Sequence, residues 1–445
     1  MHLRHFTASQ LLVGATALSV PLKPRADSQG STISLHATLY GSRFNVKTTV
    51  GQDELELLVD TGSSDLFVVE ENFQCVTQNS TGQLYDIAQS FCGFADAYYS
   101  PNSSTYQSIS DEVFEATYGA GVARGVMAYE DITLGNITVK RQEFGAVNWA
   151  SPMSLGVSGV LGLAYPPITS AYELNRTLDD DDLSTQGQSQ PYNPLFVNMY
   201  QRSQVQSYFS LALNRLSASV AEGDGGYMTL GGLPPVKLGS NLTTVAAEFY
   251  EAVALLSSTG QRLRSYWAIT NQGIAWGDHH QNTTAYQTII DSGSPLISVP
   301  ESVATAYNAL FSSPAASWDS TQGAYVVDCN ATAPAFSVTI GGQTFALDKS
   351  DLVIQTGEDF CLSAIVPGIT IDVGNGTSTP ALHILGAPFL KNVVAVFDFG
   401  NHEMKFAARA SEETTSGTSL AAVTMGSSSA LVALIAAVWL FQGFF

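Results

Sequence analysis

Two short segments of the chain repeat one another. Leu57-Leu58-Val59-Asp60-Thr61-Gly62-Ser63-Ser64 returns as Thr288-Ile289-Ile290-Asp291-Ser292-Gly293-Ser294-Pro295. In each copy aliphatic residues run directly into Asp, a hydroxyl residue, Gly and Ser. An apolar strand ending this way carries a carboxylate out of a buried scaffold. Gly62 and Gly293 permit the sharp bend that turns backbone N–H groups toward it, and the hydroxyls of Thr61, Ser63, Ser292 and Ser294 can donate further hydrogen bonds. If the copies face each other, Asp60 and Asp291 meet at a pseudo-twofold axis. Two carboxylates in contact do not both ionise cheaply and share one proton over a broad acidic range. The ionised member then takes a proton from water while the protonated member donates to a carbonyl oxygen. That is general acid–base attack on an amide, without covalent intermediate or metal.

The elements that must position this pair are also duplicated. Gly159-Val160-Leu161-Gly162-Leu163-Ala164 follows the first copy, and His383-Ile384-Leu385-Gly386-Ala387-Pro388 follows the second at a similar offset. Each half therefore reads as apolar strand, Asp-Gly turn, then an aliphatic-aliphatic-Gly segment. The remaining pattern is that of strands. From Thr32 to Val50 the residues alternate, with Ile33, Leu35, Ala37 and Leu39 on one side. Ile132–Val139 and Phe336–Gly342 each read as a strand entering a turn. Helical periodicity is confined to Pro194–Arg202 and Glu301–Phe311. Thr177–Gln190, with Asp179 to Asp182, reads as a solvated acidic insertion.

Together these motifs resemble the pepsin family of aspartic endopeptidases, over roughly Ser34 to Arg409. Val59–Val68 and Ile290–Ser294 are similar to the family's two active-site segments, and Ala116–Gly121 to its flap hairpin. Tyr98–Tyr106, Tyr266–Thr270 and Phe389–Ala407 also match family segments. The resemblance implies an all-β, bilobal fold with a cleft between an N-terminal lobe (34–210) and a C-terminal lobe (211–409). It implies the proton-sharing Asp pair for which aspartic proteases are the standing example. Tyr118 and Gly119 would close over a polypeptide substrate, and Gly62 and Gly293 would contact the dyad or the substrate. Ser63 and Ser294 would hydrogen-bond the outer carboxylate oxygens, and Thr61 and Ser292 would lock the two loops together. A monomer sensitive to pepstatin-like inhibitors is expected, with no cofactor and no metal.

Three positions depart from the family pattern. Phe67 stands where a Trp usually offers its indole N–H to the flap Tyr, and Phe cannot donate. Pro295 replaces a small hydroxyl residue. Only a short segment, 21–33, separates the leader from the first strand, and its cations are Lys23 and Arg25. A longer basic propeptide is usual.

The ends and the composition lead us to expect an exported chain. Residues 1–20 have the basic start, apolar core and small residues of a signal peptide. Residues 410–417 form a Ser/Thr stalk. Residues 418–445 end in an apolar run, Ala430–Phe445, shorter than the roughly 20 residues of a bilayer span. No Lys or Arg follows it, so it reads as a GPI-attachment signal with Ser416 or Gly417 as the attachment site, a transmembrane tail being the alternative. With the pepsin-like motifs, this is similar to the fungal yapsin-like, surface-anchored branch. Sequons at Asn79, Asn102, Asn136, Asn175, Asn241, Asn282, Asn330 and Asn375 fit export. The four cysteines contain no CxxC, and in an oxidising compartment two disulfides are expected. Three connectivities are possible; local pairing, Cys75–Cys92 and Cys329–Cys361, closes short loops within each half. Among 445 residues only 13% are charged, with a net charge of −21, which disfavours binding to nucleic acid. Serine and metal hydrolases are disfavoured by the absence of Gly-x-Ser-x-Gly and His-Glu-x-x-His motifs. A catalytically silent surface binding protein on the same fold is the alternative.

Overall fold

The computed structural model describes residues 30–79, 82–119, 121–174, 186–217, 220–312, 314–357, 359–370 and 380–410. The leader, the acidic run Asp179–Asp182, the sequons at Asn175 and Asn375, and the stalk and tail lie outside these residues.

Strands dominate, and one sixteen-stranded sheet runs through the molecule. Its inner part joins chain segments far apart in sequence. Strand Ser31–Thr38 pairs with Gly223–Leu230, which pairs with Tyr208–Leu213, then Val393–Asp398 and Glu403–Ala408. The alternation read from Thr32 onward is divided at a turn. Leu39 and Tyr40 take positive φ of 49° and 56° there, so Leu39 does not continue the buried face set by Leu35 and Ala37. Ile132–Val139 spans the tight turn between strands Gly121–Leu134 and Ile137–Ala150, and Phe336–Ile340 enters a turn at Gly341 and Gly342. The two expected helices form at Leu195–Gln201 and Glu301–Asn308, each with Pro at its N-cap. A third, Ala387–Leu390, was not legible as a helix because it is a single turn with Pro in its first positions.

Most of the core is one hydrophobic cluster. Phe209 stacks on Phe397 at 4.7 Å between ring centroids, and Trp267 packs edge-on against Phe399 at 4.7 Å. Burying each such aromatic stabilises by roughly 1.5–3 kcal/mol. A smaller cluster under the flap hairpin gathers Phe67, Phe114, Tyr118 and Val160. The cysteines pair locally, Cys75 with Cys92 and Cys329 with Cys361. The first bridge ties strand Leu66–Gln78 to the turn after Gln89–Phe91; the second fastens strand Cys361–Ser363. Among the described sequons, Asn79, Asn102, Asn136, Asn241 and Asn330 are exposed, and Asn282 is half-buried.

Candidate active site

The duplicated motifs meet. Strand Asp53–Asp60 is buried on both faces in its second half, because it lies between Arg43–Val50, antiparallel, and Gly159–Gly162, parallel. In the other half Tyr286–Ile290 runs parallel to Ile384–Leu385. Each aliphatic-aliphatic-Gly segment is thus the parallel neighbour of the strand that delivers an aspartate. The correspondence extends to single hydrogen bonds. Gly162 N–H donates to Asp65 O at 2.8 Å, and Gly386 N–H donates to Leu296 O at 3.1 Å, each acceptor lying five residues after its aspartate. Gly is required where these segments cross the Asp loops. A Cβ on Gly162 would lie 2.4 Å from Asp65 N, and one on Gly386 would lie 2.2 Å from Leu296 O.

The two carboxyl groups are hydrogen-bonded to each other. Asp60 is completely buried and Asp291 is 2% exposed. Gly62 N–H donates to Asp60 Oδ1 and Gly293 N–H to Asp291 Oδ1, both at 2.8 Å. Gly62 is also the floor on which the partner rests: a Cβ there would lie 2.5 Å from Asp291 Cγ. Burial raises the pKa of both carboxyls above the ordinary Asp range; Asp60's charge raises Asp291 further, and the backbone N–H donors of each loop oppose the rise. Both signs follow from elementary electrostatics. Taking a carboxylate out of water penalises ionisation, and a second carboxylate at contact penalises it again. The pair therefore holds a proton at acidities where isolated aspartates have lost theirs.

Thr61 and Ser292 lie beneath the pair and bond each other's loops. Ser63 Oγ donates to Asp60 Oδ2 at 2.5 Å. Ser294 differs from the sequence expectation. Its hydroxyl faces the Leu296 peptide, with Oγ 3.3 Å from both Leu296 N and O, while its backbone N–H serves Asp291. Pro295 offers no N–H, so the first peptide donor the Ser294 side chain meets downstream is Leu296. The two halves are therefore equivalent in backbone and unequal in hydroxyl support.

Tyr118 ends flap strand Gln107–Tyr118 and pairs with Gly121 across the hairpin, and Gly119 is exposed at the tip. Tyr118 is 5% exposed and packs on Phe67, with ring centroids 5.6 Å apart. Its buried hydroxyl reaches the Ser63 hydroxyl, whose own hydrogen goes to Asp60, and makes no well-formed hydrogen bond. This is the physical consequence of Phe at position 67, whose ring fills the space and donates nothing. Burial, then the nearby charges of Asp65 and Asp60, holds the Tyr118 phenol in its neutral form.

One important group in the site was not singled out from sequence. Asp65, five residues after Asp60, is completely buried. Its Oδ1 accepts from Ser170 N–H and Tyr192 Oη, each at 2.8 Å, and the Ser170 side chain bonds the same carboxyl. Burial pushes this carboxyl up to about 6 despite those donors, with Asp60's charge adding to the rise. An Asp at the head of an apolar strand was the available signal, but its burial depends on Ser170 and Tyr192, far along the chain. Trp267 was quoted only as part of a family segment. It donates its indole N–H to Leu163 O at 3.0 Å, bracing the parallel strand behind Asp60 from the opposite half.

Two β-rich halves that meet at a pair of mutually hydrogen-bonded, proton-sharing carboxyls under a tyrosine-bearing hairpin define an aspartic-type peptidase. The sequence profile of the eukaryotic aspartyl protease family matches residues 43–409, and the chain belongs to that family as an aspartic-type endopeptidase. It is similar to a probable aspartic-type endopeptidase of Aspergillus fumigatus, with 37% identity over 83% of this chain and 79% of the relative. Cathepsin D of Chionodraco hamatus is 29% identical over 79% of this chain and 76% of its own length. The crystal structure of the aspartic proteinase from Irpex lacteus superimposes with a TM-score of 0.63 over 87% of this chain and all of that one, at 20% identity.

Proposed function

We propose that Asp60 and Asp291 jointly activate a water molecule for hydrolysis of peptide bonds in an extended polypeptide bound beneath Tyr118. The observation that carries this reading is the mutual hydrogen bond of two buried carboxyls whose pKa values are both raised. One carboxylate receives a proton from water; the other donates its proton to the scissile carbonyl oxygen as the tetrahedral intermediate forms. The proton then passes to the leaving nitrogen as the C–N bond breaks. Gly62 and Gly293 keep the carboxyl pair supplied with backbone donors throughout, so little reorganisation accompanies the charge movement. Sensitivity to pepstatin-like inhibitors follows, since these occupy the same dyad.

The reading extends to location. The leader at 1–20, the eight sequons and the apolar tail at 418–445 support a glycosylated enzyme routed to the cell surface on a GPI anchor, similar to the yapsin-like branch, acting as a monomer in an acidic milieu. The exposure of five of the described sequon asparagines supports the same view.

The test is cleavage of a denatured protein between pH 3 and 5 by the wild type, Asp60→Asn and Asp291→Asn. Loss of the acid–base pair is expected to lower kcat by at least roughly 10²–10⁴-fold with unchanged circular dichroism. Full turnover in either variant would remove that residue from the mechanism.

A further inference from the structure

A cavity of about 360 Å3 lies between Pro295, the Cys329–Cys361 bridge and the segment leading to Lys391. Its charged lining is Arg215, Lys349, Asp351 and Lys391: three cations and one carboxylate. That excess opposes the composition of a chain with 18 Lys and Arg against 39 Asp and Glu. The single carboxylate is already engaged. Asp351 Oδ2 accepts from Arg215 Nε at 2.8 Å, from Arg215 Nη2 at 2.7 Å and from Asn392 Nδ2 at 2.8 Å. Lys391 Nζ is 3.8 Å from Asp351 Oδ1, its one carboxylate within ion-pair reach among the described residues. Lys391 is nonetheless 9% exposed. Lys349, at the exposed rim, has no ion pair among the described residues. Asp348, the nearest further carboxylate in sequence, accepts from Ser350 and does not line the cavity.

A buried ammonium that faces an already shared carboxylate across 3.8 Å is poorly compensated, because burial costs a cation its hydration. Burial indeed lowers the Lys391 pKa below the ordinary lysine range. We propose that the cavity binds a small oxyanion, with Lys391 as its inner charged donor and Lys349 as its outer one. Thr332 and Ser350 add hydroxyls to the same lining. The site would sit behind the second carboxylate loop. Pro295 forms part of its wall, and the one-turn helix that leads into Lys391 starts at Ala387, whose N–H holds Ser294 O. The inference goes beyond hydrolysis and is tested without turnover, so it stands or falls independently of the dyad.

The experiment titrates the purified protein at pH 5 and constant ionic strength with sodium sulfate, sodium phosphate or sodium acetate, reading Tm and calorimetric heats. A saturable rise in Tm with a matching isotherm is expected for at least one anion. Saturation by acetate identifies a carboxylate ligand, and saturation by sulfate or phosphate alone identifies an inorganic oxyanion. Lys391→Met should abolish the saturable component, and Lys349→Gln should weaken it at least tenfold, the loss of one charge-assisted hydrogen bond. Should Lys391→Met fail to fold, exposed Lys349→Glu carries the test, because an unchanged isotherm there overturns the site. A Tm that rises linearly with salt, identically in wild type and variants, reports exclusion of the salt from the surface and also overturns it.

Discussion

Thr61 and Ser292 bond reciprocally across the pseudo-twofold axis. Thr61 Oγ1 donates to Ile290 O at 2.8 Å and accepts from Ser292 N–H at 2.9 Å. Ser292 Oγ donates to Val59 O at 2.7 Å and accepts from Thr61 N–H at 3.1 Å. Each hydroxyl thus satisfies one carbonyl and one amide, and both side chains are completely buried. The loops that carry the two carboxyls cannot separate without orphaning four backbone groups.

Removing one hydroxyl should therefore cost more than an ordinary hydrogen bond. Thr61→Ala is expected to destabilise by about 1–3 kcal/mol, the range for leaving buried groups unsatisfied, and Ser292→Ala by a similar amount. Thr61→Ser keeps the oxygen and should recover most of the loss. The double alanine variant should cost less than the sum, because both changes damage one network. Urea unfolding of the four variants measures this, and strict additivity would contradict the reciprocal arrangement.

Gly62 tests whether carboxyl contact is needed. A methyl at this position would sit 2.5 Å from Asp291 Cγ, so Gly62→Ala must push the pair apart. Displacing reacting groups by about 1 Å costs on the order of 10²-fold in rate, and kcat should fall by at least that much with secondary structure retained. Gly357→Ala, whose added methyl would meet only Phe360 Cβ at 3.7 Å, is the neutral control.

The weakly partnered phenol of Tyr118 permits a separation that is normally difficult. With only a weak contact to Ser63 to lose, Tyr118→Phe should change Tm little. Any fall in kcat/KM then reports what the hydroxyl does for bound substrate. A clear drop in Tm would mean that the contact with Ser63 is a strong structural hydrogen bond.

Asp65 should impose a pH dependence on stability. Its carboxyl is held at about 6 by burial, against an ordinary 3.8. Below about pH 4 both folded and unfolded chains keep this proton, and its contribution is fully present. As pH rises through 6, the unfolded chain has already released the proton, and stability falls by on the order of 3 kcal/mol. His383 acts oppositely. Burial lowers it to about 4 from 6.5, so its contribution is lost as pH falls through that interval. The difference between wild type and Asp65→Asn isolates the first effect. Urea unfolding at pH 4 and pH 7 should show the wild type losing markedly more stability on neutralisation than the variant. Equal losses would place Asp65 in contact with water.

The sequence alone determined the chemistry of this protein, because that chemistry is local. Asp60-Thr61-Gly62-Ser63 and Asp291-Ser292-Gly293-Ser294 each contain the carboxylate, the bend and the donors within four residues. Repetition with the same aliphatic-Gly partner announced that two such units face each other. The helices at Leu195 and Glu301 were legible from their periodicity, the first also from Pro194 at its start. What no local reading supplies is burial shared between distant segments. The buried state of Asp65 is made by Ser170 and Tyr192. The Ser294 hydroxyl turns away from Asp291 because Pro295 removes one peptide donor, leaving Leu296 as the next. Phe67 was visible as a missing donor, but only its packing against Tyr118 shows a buried hydroxyl left with no well-formed hydrogen bond. Charge balance around Lys391 likewise depends on Arg215 and Asp351, brought together from separate parts of the chain. Spacing along the chain fixes which groups can react; desolvation, which decides how readily they hold a proton, is a property of the whole folded volume.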